Sequence, residues 1–181
     1  MPMNVTTHAV IVAVFTAVGL TGIANAAPSM SQTQNYIIEK TASDWKKKRN
    51  GLLITQSVSF PSKCEMQVTH RYESLKTPGR LFVDEVATVP VKELYKLVAA
   101  GGGISLRTKA KDIIRQNTYY PAERKHKKIC GGSTEPCKAK AFTKNSFYLD
   151  VVSPQDLYQQ KVGKALRRLM ELCGAGGKEL F

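Results

Sequence analysis

Four cysteines constrain this chain more than any other feature. Cys64, Cys130, Cys137 and Cys173 are its whole complement, and all follow an apolar N-terminal leader. An even count in an exported chain predicts two disulfides. Three pairings are open. Cys130–Cys137 is the cheapest to close, because Gly131, Gly132 and Pro136 between them favour a tight reversal. Cys64–Cys173 then ties the first strand region to the last helix. Loop-closure entropy gives about 2.5 kcal/mol for the short loop and about 5 kcal/mol for the long one, as upper-end values.

The compartment follows from the leader. "HAVIVAVFTAVGLTGIANA" is apolar and closes on Ala24-Asn25-Ala26, the small-x-small form of a signal-peptide cleavage site. Residues 1–26 are therefore expected to be a signal peptide of bacterial style, leaving a secreted or periplasmic product. No Lys or Arg precedes the apolar core, so an uncleaved N-terminal anchor is the alternative. Past Ala26 no apolar run is long enough to span a bilayer. Cleavage leaves 155 residues, enough for one domain that buries about 70% of its unfolded surface. They carry 27 basic and 14 acidic residues, for a net charge of +13, and 43% hydrophobic content in the whole chain rules out a disordered polycation.

Residues 27–35 are expected to be a loose leader, 36–174 a single α+β domain, and 175–181 a flexible tail. "NYIIEKTASDWKKKRNG" suggests a short strand and an exposed basic turn closed by Asn50-Gly51, a hairpin signal. "GLLITQSVSF" is a strand, broken at Pro61 and Ser62. "CEMQVTHRY" alternates, placing Cys64, Met66, Val68, His70 and Tyr72 on the core face. "LFVDEVATV" is a third strand. "PVKELYKLVAAGGG" predicts a short helix begun by Pro90 and stopped by glycines. "ISLRTKAKDIIRQNTYY" predicts a hairpin turning near residues 109–111. "AFTKNSFYLDVV" supplies two short strands around Lys144-Asn145. "SPQDLYQQKVGKALRRLMELCG" is the clearest helix: Ser153 as N-cap, Pro154 in the first turn, an apolar stripe of Tyr158, Val162, Ala165, Leu169 and Cys173, and Gly174 as C-cap. The order predicts a curled antiparallel sheet or half-barrel with the C-terminal amphipathic helix packed across it.

The strand "SFYLDV" leading into the helix "KALRRLMELCG" resembles the end of a loose group of small exported bacterial domains of uncharacterised function. Such domains are similar to the pleckstrin-homology-like (PH-like) superfold, a bent barrel capped by a terminal helix. The resemblance spans residues 102–174 and implies a PH-like half-barrel. It brings no catalytic residues.

Motifs for chemistry are sparse. Basic ribonucleases use two histidines as base and acid, and the only histidines after the leader are His70 and His126. Yet His70 lies on the apolar face of a strand, where packing is the ordinary role, and His126 lies in a lysine run, ordinarily a solvated loop. No G-x-S-x-G elbow is present, and "AAGGGIS" fits neither the dinucleotide nor the P-loop template. Asp84-Glu85 with Asp150 is a possible carboxylate pair without supporting spacing. His126, Cys130 and Cys137 are three potential metal ligands. Their H-x3-C-x6-C spacing matches no standard zinc pattern, and local cations oppose Zn²⁺, so neither metal nor cofactor is expected.

Charge is the stronger signal. Residues 40–50 carry +4 and residues 107–140 carry +7. Trp45 adjoins Lys46, Lys47, Lys48 and Arg49, while Tyr119 and Tyr120 precede Arg124, Lys125, Lys127 and Lys128. Cations interleaved with aromatics suit phosphates, sulfates or uronates. The sequence therefore predicts a non-catalytic, disulfide-stapled binding module for an anionic polymer or surface, or an acidic protein. A basic ribonuclease using His70 and His126, and an inhibitor acting through the 130–137 loop, are the alternatives.

Overall fold

The computed structural model describes residues 27–42, 46–151 and 156–175. The expected signal peptide, Trp45, the Ser153 cap, Pro154 and the tail from residue 176 lie outside the described residues.

Helix α1, Met30–Ala42, replaces both the expected loose leader from residue 30 and the short strand. Its start is a capping box: Ser29 Oγ accepts from Gln32 N–H at 3.3 Å, and Gln32 Oε1 accepts from Ser29 N–H at 2.9 Å. Ile37, one of the two isoleucines that suggest a strand, lies four residues from both Thr33 and Thr41, and the three form one buried face.

Seven strands form the larger sheet. β1 (Lys46–Arg49), β2 (Leu52–Ser62), β3 (Glu65–Ser74), β4 (Leu81–Pro90), β7 (Ile113–Tyr119) and β8 (Cys137–Lys138) run in that spatial order, and β9 (Phe142–Lys144) also pairs with β7. β10 (Ser146–Asp150), β6 (Gly103–Thr108) and β5 (Leu94–Ala100) form a second sheet in that order. All pairings are antiparallel. The architecture is α+β, open rather than a closed barrel. A short helix α2 (His126–Ile129) precedes β8, and α3 (Asp156–Leu172) packs against α1 and against β5 and β6.

Asn50 and Gly51, at φ 49° and 79°, make the expected hairpin between β1 and β2. Pro61 does not end β2. The strand runs through it with a register irregularity between Ser59 and Ser62. β1 pairs only with Leu52–Thr55, so farther along β2 a residue lacking N–H forfeits no ladder bond on that side.

The helix expected after Pro90 is instead a single 3-10 turn, Val91–Glu93, followed by β5. Gly101 and Gly102, at φ 49° and 89°, turn β5 into β6 rather than stopping a helix. The chain does reverse after Thr108, but β6 and β7 belong to different sheets and do not pair. β9 and β10 part company in the same way across Asn145.

The core lies between sheets and helices. It joins Met66, Val68, Ala87, Val89 and Ile113 to Ile104, Leu106 and Leu149, covered by Ile37, Val162, Leu166, Leu169 and Met170. The buried stripe of α3 thus centres on Val162, Leu166, Leu169 and Met170, with Ala165 and Cys173 at its border. Gly174 is the left-handed C-cap at φ 72°; Ala175 N–H bonds Met170 O at 2.9 Å, and Ala175 is buried rather than the start of a tail. Both disulfides form, Cys64–Cys173 and Cys130–Cys137. No helix among the described residues is long and apolar enough to cross a membrane.

Candidate functional site

Two features carry chemistry, a basic finger at one sheet edge and a cleft between the sheets.

The finger is built on β7. The chain leaves Tyr119, turns through α2, and returns in β8, whose Cys137 pairs with Tyr119 and Lys138 with Thr118. β9 then pairs along the same β7 edge, Phe142 opposite Arg115. Gly131 and Gly132, at φ 63° and 83°, make the reversal that the cysteines bracket. Arg124, Lys125, Lys127, Lys128, Lys138, Lys140 and Lys144 are all exposed. None of these cations is in an ion pair among the described residues. Ile129 and Phe142, each 39% exposed, lie among them.

The other basic cluster does not join this one. Lys46–Arg49 form β1, the opposite edge of the larger sheet. Four strand-to-strand steps separate β1 from β7, about 19 Å along the sheet. Strand order, invisible in the sequence, keeps the two clusters apart.

The cleft arises from a polar rung in an apolar sheet face. Gln56, His70, Glu85 and Asn117 stand in register across β2, β3, β4 and β7. The adjacent rung on that face begins Val58, Val68, Ala87. Where valines give way to amides, imidazole and carboxylate, the two sheets leave a cavity of about 380 Å³. The larger sheet contributes Ile54, His70, Tyr72, Glu85 and Arg115, and the smaller sheet Ser105, Ser146, Phe147, Tyr148 and Asp150.

Gln56 organises one wall. Its Nε2 donates to Thr41 O at 2.5 Å and to Asp150 O at 2.9 Å, while its Oε1 accepts from Asp150 N–H at 3.0 Å. The amide orientation is thereby fixed, so the 2.8 Å contact of Oε1 with His70 Nε2 requires that nitrogen to donate. The neutral ring then carries its lone pair on Nδ1. Asp150 Oδ2 lies 3.9 Å from His70 Nε2, and the imidazole stacks on Phe147 at 5.3 Å. On the other wall Arg115 pairs with Glu85 and lies 5.6 Å from the centres of both Phe142 and Phe147. Its buried Nε has no hydrogen-bond partner among the described residues. Tyr148 donates to Gly101 O at 3.0 Å; burial first and the Asp150 charge second hold its phenol above the usual tyrosine range.

The histidines are thus held separately. His70 is 7% exposed on the cleft wall, as its strand position predicts. His126 corrects the solvated-loop expectation: it is 4% exposed, with Nε2 2.9 Å from Glu135 O. It does not line the cavity that His70 lines. Glu85 and Asp150, considered as a carboxylate pair from sequence, do line one cavity. Tyr72, Arg115 and Tyr148, which line the cleft, and Gln56, buried behind His70 and Asp150, are the residues sequence reasoning missed. Inward-facing Gln56 in an alternating strand was the available signal. Comparison with protein-family models, curated proteins and solved structures returns no match.

Proposed function

We propose that this chain is exported, loses its leader near Ala26, and acts as a non-catalytic binding module for an anionic surface or polymer. The observation that carries this reading is the edge segment 124–144, whose seven exposed cations have no ion-pair partner among the described residues. Structural surface charges are ordinarily interspersed with opposite charge, whereas Glu135 is the one acid within this segment. Ile129 and Phe142 add exposed apolar contacts, which favour a phosphate-bearing amphiphile such as lipid over a purely polar chain. The Lys46–Arg49 strand, at the far edge, serves as a separate contact.

The test is retention on vesicles of anionic phospholipid against zwitterionic vesicles, across a salt gradient. A cation near an anionic surface contributes about 1 kcal/mol, so Lys125→Gln/Lys127→Gln/Lys128→Gln should weaken binding by about two orders of magnitude. Unchanged retention, or retention insensitive to salt, would refute the reading.

A second reading rests on the grouping of His70, Glu85, Arg115 and Asp150 around one cavity. Charged and hydrogen-bonding groups converging in a concavity suit a small polar ligand. Thermal-shift screening with Phe147→Ala as control addresses it: a compound that stabilises both proteins equally does not bind the cleft.

A further inference from the structure

We propose that the finger is a redox-gated site for a soft monovalent ion, Cu⁺, formed by His126, Cys130 and Cys137 once their disulfide is reduced. This goes beyond the anion-binding reading and is independent of it.

The geometry comes first. One ligand atom from each of His126, Cys130 and Cys137 lies within 4.8 Å of the others. His126 and Cys130 stand one helical turn apart, and Cys130 N–H bonds His126 O at 2.7 Å. Cys137 is returned to them by its β-pairing with Tyr119. The three positions are therefore held by backbone hydrogen bonds as well as by the disulfide, and remain together when it opens. Their cysteine Cα atoms are 5.8 Å apart, within reach of a single chelated ion after side-chain rotation.

The imidazole is already oriented. A backbone carbonyl only accepts, so the Glu135 O contact makes His126 Nε2 the N–H. The neutral ring then carries its lone pair on Nδ1. A metal-binding histidine whose other nitrogen donates to a carbonyl is the usual supporting arrangement. The carbonyl belongs to the same loop that carries Cys137, so the loop positions its own ligand.

Charge selects the ion. Arg124, Lys125, Lys127, Lys128 and Lys138 flank the site and are exposed. From the dithiol, binding Zn²⁺ with loss of two protons leaves the site charge unchanged. Binding Cu⁺ with the same loss adds one negative charge, which the cations stabilise. The lysines that fail to help a divalent ion thus favour a monovalent one. Thiolates also select Cu⁺ by softness, and two sulfurs with one nitrogen suit its three-coordinate geometry.

The redox step balances. A dithiol reductant attacks one sulfur of Cys130–Cys137 and releases the other as a thiol; closure of the reductant's own disulfide frees the second. Two electrons and two protons pass to the finger, and Cu⁺ then displaces both thiol protons. The reductant's own disulfide form can reverse the sequence: it accepts two electrons from the two thiolates and two protons from solvent to become a dithiol again, Cys130–Cys137 re-forms, and Cu⁺ is expelled.

The experiment is an anaerobic titration of the whole purified chain with Cu⁺ against bicinchoninate, before and after reduction with dithiothreitol and desalting. The reduced chain should withhold one Cu⁺ and the oxidised chain none. Cys130→Ser/Cys137→Ser should withhold none after the same reduction, and His126→Ala should bind at least tenfold more weakly. Equal binding by the double serine variant would move the site to Cys64 and Cys173 and overturn the proposal. X-ray absorption of the wild-type complex keeps the test independent of variant folding: two sulfurs and one nitrogen around copper support it, and any other donor set, or no retained copper, overturns it.

Discussion

Gln56 is the best single probe of how this fold is joined. It lies 3% exposed and ties three elements: Thr41 on α1, His70 on β3 and Asp150 on β10. Replacing it with leucine preserves approximate volume and removes every one of those hydrogen bonds. Four groups lose a partner: the carbonyls of Thr41 and Asp150, the Asp150 N–H and the His70 Nε2–H. A buried orphaned group costs about 1–3 kcal/mol. His70 and Asp150 keep other interactions, so the low end applies, and the sum is about 4 kcal/mol. For a domain of this size about 2–4 °C accompanies each kcal/mol, so the melting temperature should fall by about 8–16 °C. Gln56→Glu should be at least as damaging at neutral pH. It keeps the acceptor, loses both donated bonds and sets a carboxylate beside Asp150. Thermal unfolding followed by circular dichroism reads all three proteins. A Gln56→Leu variant within about 1 kcal/mol of wild type would refute the reasoning, because the amide would then not join sheet to sheet.

The two staples should differ in weight. Cys64–Cys173 spans 109 residues and Cys130–Cys137 only 7, so chain entropy assigns them about 5 and about 2.5 kcal/mol. Cys64→Ser/Cys173→Ser should therefore lower the melting temperature roughly twice as far as Cys130→Ser/Cys137→Ser, and equal losses would contradict this. Gly103→Ala should destabilise by about 3 kcal/mol in urea unfolding, because its Cβ would meet Leu149 O and lie 2.7 Å from Tyr148 Cζ; a neutral effect would mean β6 and β10 can part freely. Burial first, then the hydrogen bond to Asp84, hold the Tyr120 phenol above the usual tyrosine range. The folded state thus favours the protonated phenol, and its contribution to stability is full below the ordinary tyrosine pKa and lost as pH rises through the folded value. Difference titration of phenolate absorbance against Tyr120→Phe should show late ionisation that Asp84→Asn brings earlier; ionisation at the free-tyrosine pH would show the site to be solvated.

What the sequence by itself determined about this protein is local or covalent. The cysteine count and glycine-rich spacing announced two staples, Asn50-Gly51 a hairpin, "CEMQVTHRY" an alternating strand with His70 inward, and "KALRRLMELCG" a capped amphipathic helix. Each depends on neighbours a few residues apart. A Ser29-x-x-Gln32 capping box also marks the start of α1 in the sequence, next to the strand-like "NYII". Only tertiary structure decided the rest. "PVKELYKLVAAGGG" suits a short helix in isolation; pairing with β6 makes it strand, because ladder hydrogen bonds and burial outweigh a propensity of a few tenths of a kcal/mol per residue. Strand register placed Gln56, His70, Glu85 and Asn117 on one rung, and strand order separated Lys46–Arg49 from the finger by the width of four strand steps. Register and sheet order depend on which strands meet across long sequence separations. No local pattern encodes that, and so the cleft and the buried His126 beside its cysteines became visible only in the folded chain.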